Sequence, residues 1–196
     1  MSIFKDVFEA IGSPLNIIIR YKKSRKILFS LLIMLLTSVL NGIIAPLLYY
    51  AFYKNEFVVS LEPQSIIIMF CMCIATYFMS CGAFRLMALL FKKDISFQQI
   101  FSTWGFSYIP TLICVVFVNI TELGFYYFMC SKLFWLLGNT LLIMLLIWKA
   151  IFYFIELNVV LGIKGSKAVI ATFAIGLIFL AVMSLGFRLG LKVPAL

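Results

Sequence analysis

Long apolar stretches separated by short polar ones dominate this chain. Five of them, at about residues 27–50, 65–90, 105–128, 133–161 and 168–189, carry few charges. About 20 apolar residues cross the roughly 30 Å hydrocarbon layer of a bilayer as a helix, so each stretch can span with some tilt. The pattern predicts an all-α integral membrane bundle of about five transmembrane helices. The fourth stretch departs most from it, because Lys149 and Glu156 lie inside.

Two shorter segments have an amphipathic period. Residues 2–11 place Ile3, Phe4, Val7, Phe8 and Ile11 on one side of a helix, with Lys5, Asp6 and Glu9 largely elsewhere. That reads as a short helix lying in the membrane interface, or else as a docking helix for a partner protein. Gly12-Ser13-Pro14 ends it, and residues 16–21 then lead into a basic cluster. Between the second and third stretches, Ser96 can cap a short helix holding Phe97, Ile100, Phe101 and Trp104. Trp104 and Tyr108 would sit at headgroup depth, where amphipathic rings accumulate. The chain thus divides into a cytoplasmic amphipathic and basic segment, 1–26, and a single five-span domain, 27–196.

Composition agrees with a lipid-facing surface. Of 196 residues, 65% are hydrophobic and 12% charged, where a soluble domain usually carries about 25% charged residues. The net charge of +9 comes from 16 Lys and Arg against 7 Asp and Glu. These cations stand at the ends of apolar runs rather than along a polar face, which points to anionic headgroups and away from nucleic acid. Lys5, Arg20, Lys22, Lys23, Arg25, Lys26, Arg85, Lys92, Lys93, Lys164 and Lys167 fall on one side of the alternating spans. Only Lys54, Lys132, Arg188 and Lys192 fall on the other. The positive-inside bias therefore predicts a cytoplasmic N-terminus, a C-terminus outside, and Arg20, Lys22, Lys23, Arg25, Lys26, Arg85, Lys92, Lys93 and Trp104 as inner-face anchors. The basic region runs through Lys26 before the first apolar stretch and leads into further spans, unlike a secretory signal peptide.

Candidate chemistry is sparse. Histidine is absent, and four of the five cysteines (Cys71, Cys73, Cys81, Cys114 and Cys130) lie inside apolar runs as small hydrophobes. Cys71-Met72-Cys73 points its two thiols to different faces of a helix, which suits neither zinc nor a redox pair. No nucleophile–base set, phosphate-binding glycine loop or carboxylate cluster is present in the sequence. No enzyme, cofactor or metal is expected. What remains is an intramembrane polar face. Lys149 and Glu156 are two turns apart on one side of a helix, but side chains lean toward the N-terminus, so each should find its partner on another helix. Glu122 can meet Lys149 across the bundle, and Asn119 and Asn158 can hydrogen-bond between helices. Ion-pathway duty and simple packing are both open for this face. Pro46 and Pro110 interrupt apolar runs and predict kinks. No repeat of fixed period is visible, and five spans do not divide into two inverted halves.

Two stretches carry a family resemblance. One is Ser96-Phe97-Gln98-Gln99-Ile100-Phe101-Ser102-Thr103-Trp104-Gly105-Phe106-Ser107-Tyr108-Ile109-Pro110, and the other is Gly162-Ile163-Lys164-Gly165-Ser166-Lys167-Ala168. With Ser13-Pro14 ahead of an amphipathic segment, the chain resembles the bacterial type of the Yip family of polytopic membrane proteins, the Ypt/Rab-interacting proteins of eukaryotes. It lacks the long polar N-terminal region of the eukaryotic proteins, so Rab binding is not expected. The resemblance implies a five-helix membrane protein that works through other membrane proteins. Eukaryotic relatives serve vesicle trafficking, and some bacterial ones accompany ABC exporters; no residue-level site is carried across. The expected function is therefore a non-enzymatic accessory or assembly partner of a larger complex in the cell membrane, such as an ABC-type exporter. The expected partners are membrane lipids and other integral membrane proteins. A small transporter or channel using the charged face of the fourth span, and a lipid-handling or membrane-shaping protein, are the alternatives.

Overall fold

The computed structural model describes residues 3–24, 27–54, 63–118 and 132–188. They form helices α1 (Ile3–Gly12), α2 (Pro14–Ser24), α3 (Leu28–Lys54), α4 (Pro63–Leu90), α5 (Phe97–Trp104), α6 (Tyr108–Ile113), α7 (Lys132–Ile155) and α8 (Ser166–Arg188). A 3-10 turn, Gly105–Ser107, joins α5 to α6, and π turns follow α6 (Cys114–Val118) and α7 (Glu156–Val160). No strand occurs among the described residues. Among the described residues, three runs are long and apolar enough to cross a membrane: Pro63–Leu90, Phe97–Phe117 and Leu136–Val160. Ser166–Ala181 is a shorter apolar helix, and α2 with Leu28–Ile44 forms an apolar pair bent by 118°.

The run Phe97–Phe117 is the axis of the bundle. Its most apolar window is 78% buried, against 28% for Pro63–Leu90 and 39% for Leu136–Val160, so the other helices pack around it. This corrects the expectation of an interfacial helix over 96–104 with a span starting at 105. Residues 100–111 are all buried, and α5 is the first part of the buried run. Its serine hydroxyls hide their polarity locally. Ser102 donates to the Gln99 carbonyl at 2.9 Å, and Ser107 donates to the Trp104 carbonyl at 2.7 Å.

Loop chemistry sets where this run begins. Lys92 adopts a positive φ of 53°, and the Lys93 amide returns to the Ala88 carbonyl at 2.8 Å, closing α4 in the manner of a Schellman cap. Ser96 then opens α5 with a capping box. Its hydroxyl accepts from the Gln99 amide at 3.3 Å, while Gln99 Oε1 accepts from the Ser96 amide at 3.3 Å.

Close backbone approach packs α3 against its neighbours. A Cβ at Gly105 would fall 2.4 Å from Ser30 Cα, so only glycine lets the 3-10 turn touch α3. At Gly42 a Cβ would fall 3.1 Å from the Ile66 carbonyl oxygen, and the adjacent Asn41 donates to the Met69 carbonyl at 3.3 Å. Pro46 does not end α3, which continues to Lys54, and Pro110 lies within α6, one turn after the 3-10 segment.

The N-terminal helices form a hairpin rather than a free anchor. Arg20 bridges Asp6 at 2.6 Å and Glu9 at 2.8 Å, and the Tyr21 hydroxyl donates to Asp6 at 2.7 Å. Ile17, Ile18 and Tyr21 are buried, with the Tyr21 ring 4.7 Å from that of Phe106, which stacks on Phe29 at 4.5 Å. Burial and the Asp6 carboxylate both raise the Tyr21 phenol well above its usual range, which keeps it a donor.

Gly105→Val should therefore destabilise the bundle by about 3 kcal/mol through overpacking. Gly176→Ala, where an added Cβ meets nothing within 4 Å, should be neutral or stabilising by up to about 1 kcal/mol. Thermal unfolding in detergent, read on both variants, checks the contrast; equal behaviour would contradict the packing at Gly105.

Candidate functional site

Two buried charges on α7 and its π turn face the buried run. Lys149 is 3% exposed and Glu156 is 1% exposed. The Thr103 hydroxyl donates to Glu156 Oε1 at 2.7 Å. Lys149 donates to Thr111 Oγ1, and its ammonium lies 5.0 Å from the centroid of the Tyr108 ring. Thr103 and Thr111 are eight residues apart on one run, and Lys149 and Glu156 are seven apart on the other. The pairs cross in opposite order, so the two runs are antiparallel and meet at two polar rungs roughly 10–12 Å apart along the axis.

The remaining polar groups of the interior are mostly tied to backbone. The Ser30 hydroxyl donates to the Ser102 carbonyl at 2.8 Å, and the Tyr77 hydroxyl to the Phe101 carbonyl at 2.8 Å. Thr76 and the Tyr108 hydroxyl are 3.3 Å apart. Two donors differ. Trp104 Nε1 and the Tyr153 hydroxyl are buried with no hydrogen-bond partner among the described residues, although their rings stack at 5.2 Å. Phe84 packs on Trp104 at 4.6 Å and Phe179 on Tyr153 at 5.6 Å. A small recess opens beside Lys149, walled by Pro110, Thr111, Cys114, Leu142, Leu145 and Leu146.

The expected residues are thus distributed as follows. Lys149 and Glu156 share the face of α7 that meets the buried run, but on separate threonines. Asn158 is half-buried in the π turn. Glu122 and Asn119 lie outside the described residues, as do Arg25 and Lys26. Trp104, expected at headgroup depth, is 1% exposed in the aromatic core, where it clusters with Phe84 and Tyr153. Three of the expected anchors engage protein instead: Arg20 holds Asp6 and Glu9, Lys22 donates to the Val159 carbonyl at 2.7 Å, and Arg85 donates to the Ile95 carbonyl. Lys23, Lys92 and Lys93 are exposed. The two threonines and the Asp6–Arg20–Tyr21 cluster were missed. Matched spacings of eight and seven residues between threonines and charges on neighbouring spans were the signal that could have found the threonines.

Chemically, this arrangement holds helices together. Among the described residues no group of three or more His, Cys, Asp or Glu could bind a metal ion. An all-α bundle with apolar outer faces and polar rungs inside is the form of a multi-pass integral membrane protein. Residues 18–186 match the family model of the Yip1 domain, and the chain belongs to that family. Neither the curated proteins nor the solved structures give a match.

Two substitutions test the interior. Thr103→Val keeps the shape but leaves the Glu156 carboxyl without its hydroxyl, and should cost about 1–3 kcal/mol. Tyr153→Phe removes an unpaired buried hydroxyl and should raise stability by about 1 kcal/mol. A fall in the unfolding temperature of the Phe variant would mean that the hydroxyl has a partner.

Proposed function

We propose that this protein is a non-enzymatic partner of a larger membrane complex, aiding its assembly or activity. It would sit in the cell membrane with the hairpin end toward the cytoplasm and the C-terminus outside. One observation carries the reading: the charged groups at depth, Lys149 and Glu156, are engaged in helix-to-helix hydrogen bonds rather than arranged around a passage or a reacting centre. Membership of a family of membrane proteins that act through others supports it, and the basic loops at the hairpin end support the orientation. An ABC-type exporter is the particular complex that the resemblance brings forward.

The transporter reading keeps one support, that both charges lie on one face of one helix. The membrane-shaping reading loses one of its two helices, since residues 100–104 are buried.

Crosslinking in native membranes followed by mild-detergent purification should yield a defined integral membrane partner in fixed ratio. Recovery of the lone protein would count against the proposal. In liposomes the purified chain should give no solute or ion flux above that of empty vesicles. A flux abolished by Lys149→Met with Glu156→Gln would favour the transporter instead.

A further inference from the structure

The hairpin carries its amphipathic character in an unexpected sense. Its acidic groups turn inward: Asp6 is 5% exposed and held by Arg20 and Tyr21, and Glu9 is held by Arg20, while Lys5 and Lys23 stay exposed. Its apolar side chains turn outward. Phe8 is 72% exposed, and Ile11 on α1 with Leu15 and Ile19 on α2 are exposed as well. The spacings 8 to 11 and 15 to 19 each mark one helical face. In water such a face would be left without any apolar neighbour.

Two further observations identify what covers it. First, the apolar surface continues into Ile27, Leu28, Leu31, Leu32 and Leu35, all exposed on the approach to and first turns of α3, a surface that in a membrane bundle meets lipid. Second, the same end of the bundle is basic. The loop after α4 exposes Lys92 and Lys93, the loop before α8 exposes Lys164, the first turn of α8 exposes Lys167, and α2 exposes Lys23. Asp94 is the one exposed acidic side chain there among the described residues. Both loops share the hairpin's end, because α2 packs on α5 and on the π turn that closes α7.

We infer that the α1–α2 hairpin and these two loops form a docking surface for an anionic lipid leaflet, with Phe8, Ile11, Leu15 and Ile19 seated at the boundary of headgroups and acyl chains. The apolar stripe supplies insertion, and the lysines supply preference for anionic headgroups, each basic side chain near such a surface adding its own increment. The surface is separate from the partner reading above and stands or falls without it.

The test uses the full chain in nanodiscs. A nitroxide is attached at Ile11→Cys in a background with Cys71→Ala and Cys130→Ala; Cys73, Cys81 and Cys114 are buried. Collisions with oxygen, relative to a water-soluble nickel complex, report depth. In discs containing phosphatidylglycerol the oxygen-to-nickel ratio should rise severalfold over discs of phosphatidylcholine alone. The rise should vanish when Lys23, Lys92, Lys93, Lys164 and Lys167 are all changed to Gln. A label open to nickel in both lipids would overturn the inference, and so would equal depth in both. A label shielded from both reagents in an immobilised spectrum would overturn it in favour of a second protein chain. A Phe8→Ser, Leu15→Ser variant should return the label to water while the bundle's unfolding temperature stays unchanged.

Discussion

A helix that changes pitch leaves carbonyl groups without their amide partners, and in hydrocarbon each such group costs several kcal/mol. The buried run makes this change at Gly105. There the amide turns to the Thr103 carbonyl rather than to that of Phe101, four residues back. Tyr77 from α4 and Ser30 from α3 supply hydroxyls to the Phe101 and Ser102 carbonyls. Ser30 can do so only because Gly105 has no side chain to hold it away. One residue thus ties pitch, backbone satisfaction and the packing of three helices together. Tightening at Gly105–Ser107 also redirects α6, so that Tyr108 lies beside Tyr77 at 4.7 Å and Thr111 meets Lys149.

The two threonine rungs add register to this frame. An apolar seam between helices tolerates sliding, since one row of Leu and Ile resembles the next. Two hydrogen bonds seven and eight residues apart, on oppositely directed runs, admit a single alignment. Displacing either run by one turn would leave a carboxyl and an ammonium unpartnered at depth, at a cost of several kcal/mol for each. Deep charge here is a device of specificity, in the sense that a buried polar group defines which alignment is allowed.

Hydropathy alone located the apolar runs and the all-α class, because their length against the bilayer is a coarse signal that survives local error. It could not rank the runs by burial. Phe97–Phe117 is the least apolar of the three that qualify, yet the most enclosed. Ser102 and Ser107 are polar in a sequence, and their backbone bonds make them fit for a core. Trp104 failed for a related reason: rings are common both at interfaces and in cores, and only Phe84 and Tyr153 decide between them. Lys149 and Glu156 were legible as charges needing separate partners, since helix geometry dictates that. Their partners were not, because a threonine carries no mark of which helix it serves.

The hairpin shows how the polar interior reaches the membrane surface. Helix ends leave their last carbonyls open, and at the end of α7 the π turn shifts the ladder further, with the Leu161 amide reaching back to Glu156 at 3.0 Å. Lys22 closes the Val159 carbonyl from α2. Its neighbours Arg20 and Tyr21 hold α1 through Asp6. A continuous chain of contacts therefore runs from α1 through α2 to the turn that also carries Glu156 and its bond to Thr103. Any displacement of the hairpin must either break the Lys22 bond or move the end of α7, and the second choice loads the rung at Glu156. The outward apolar stripe and the buried carboxyl are thus parts of one mechanical unit.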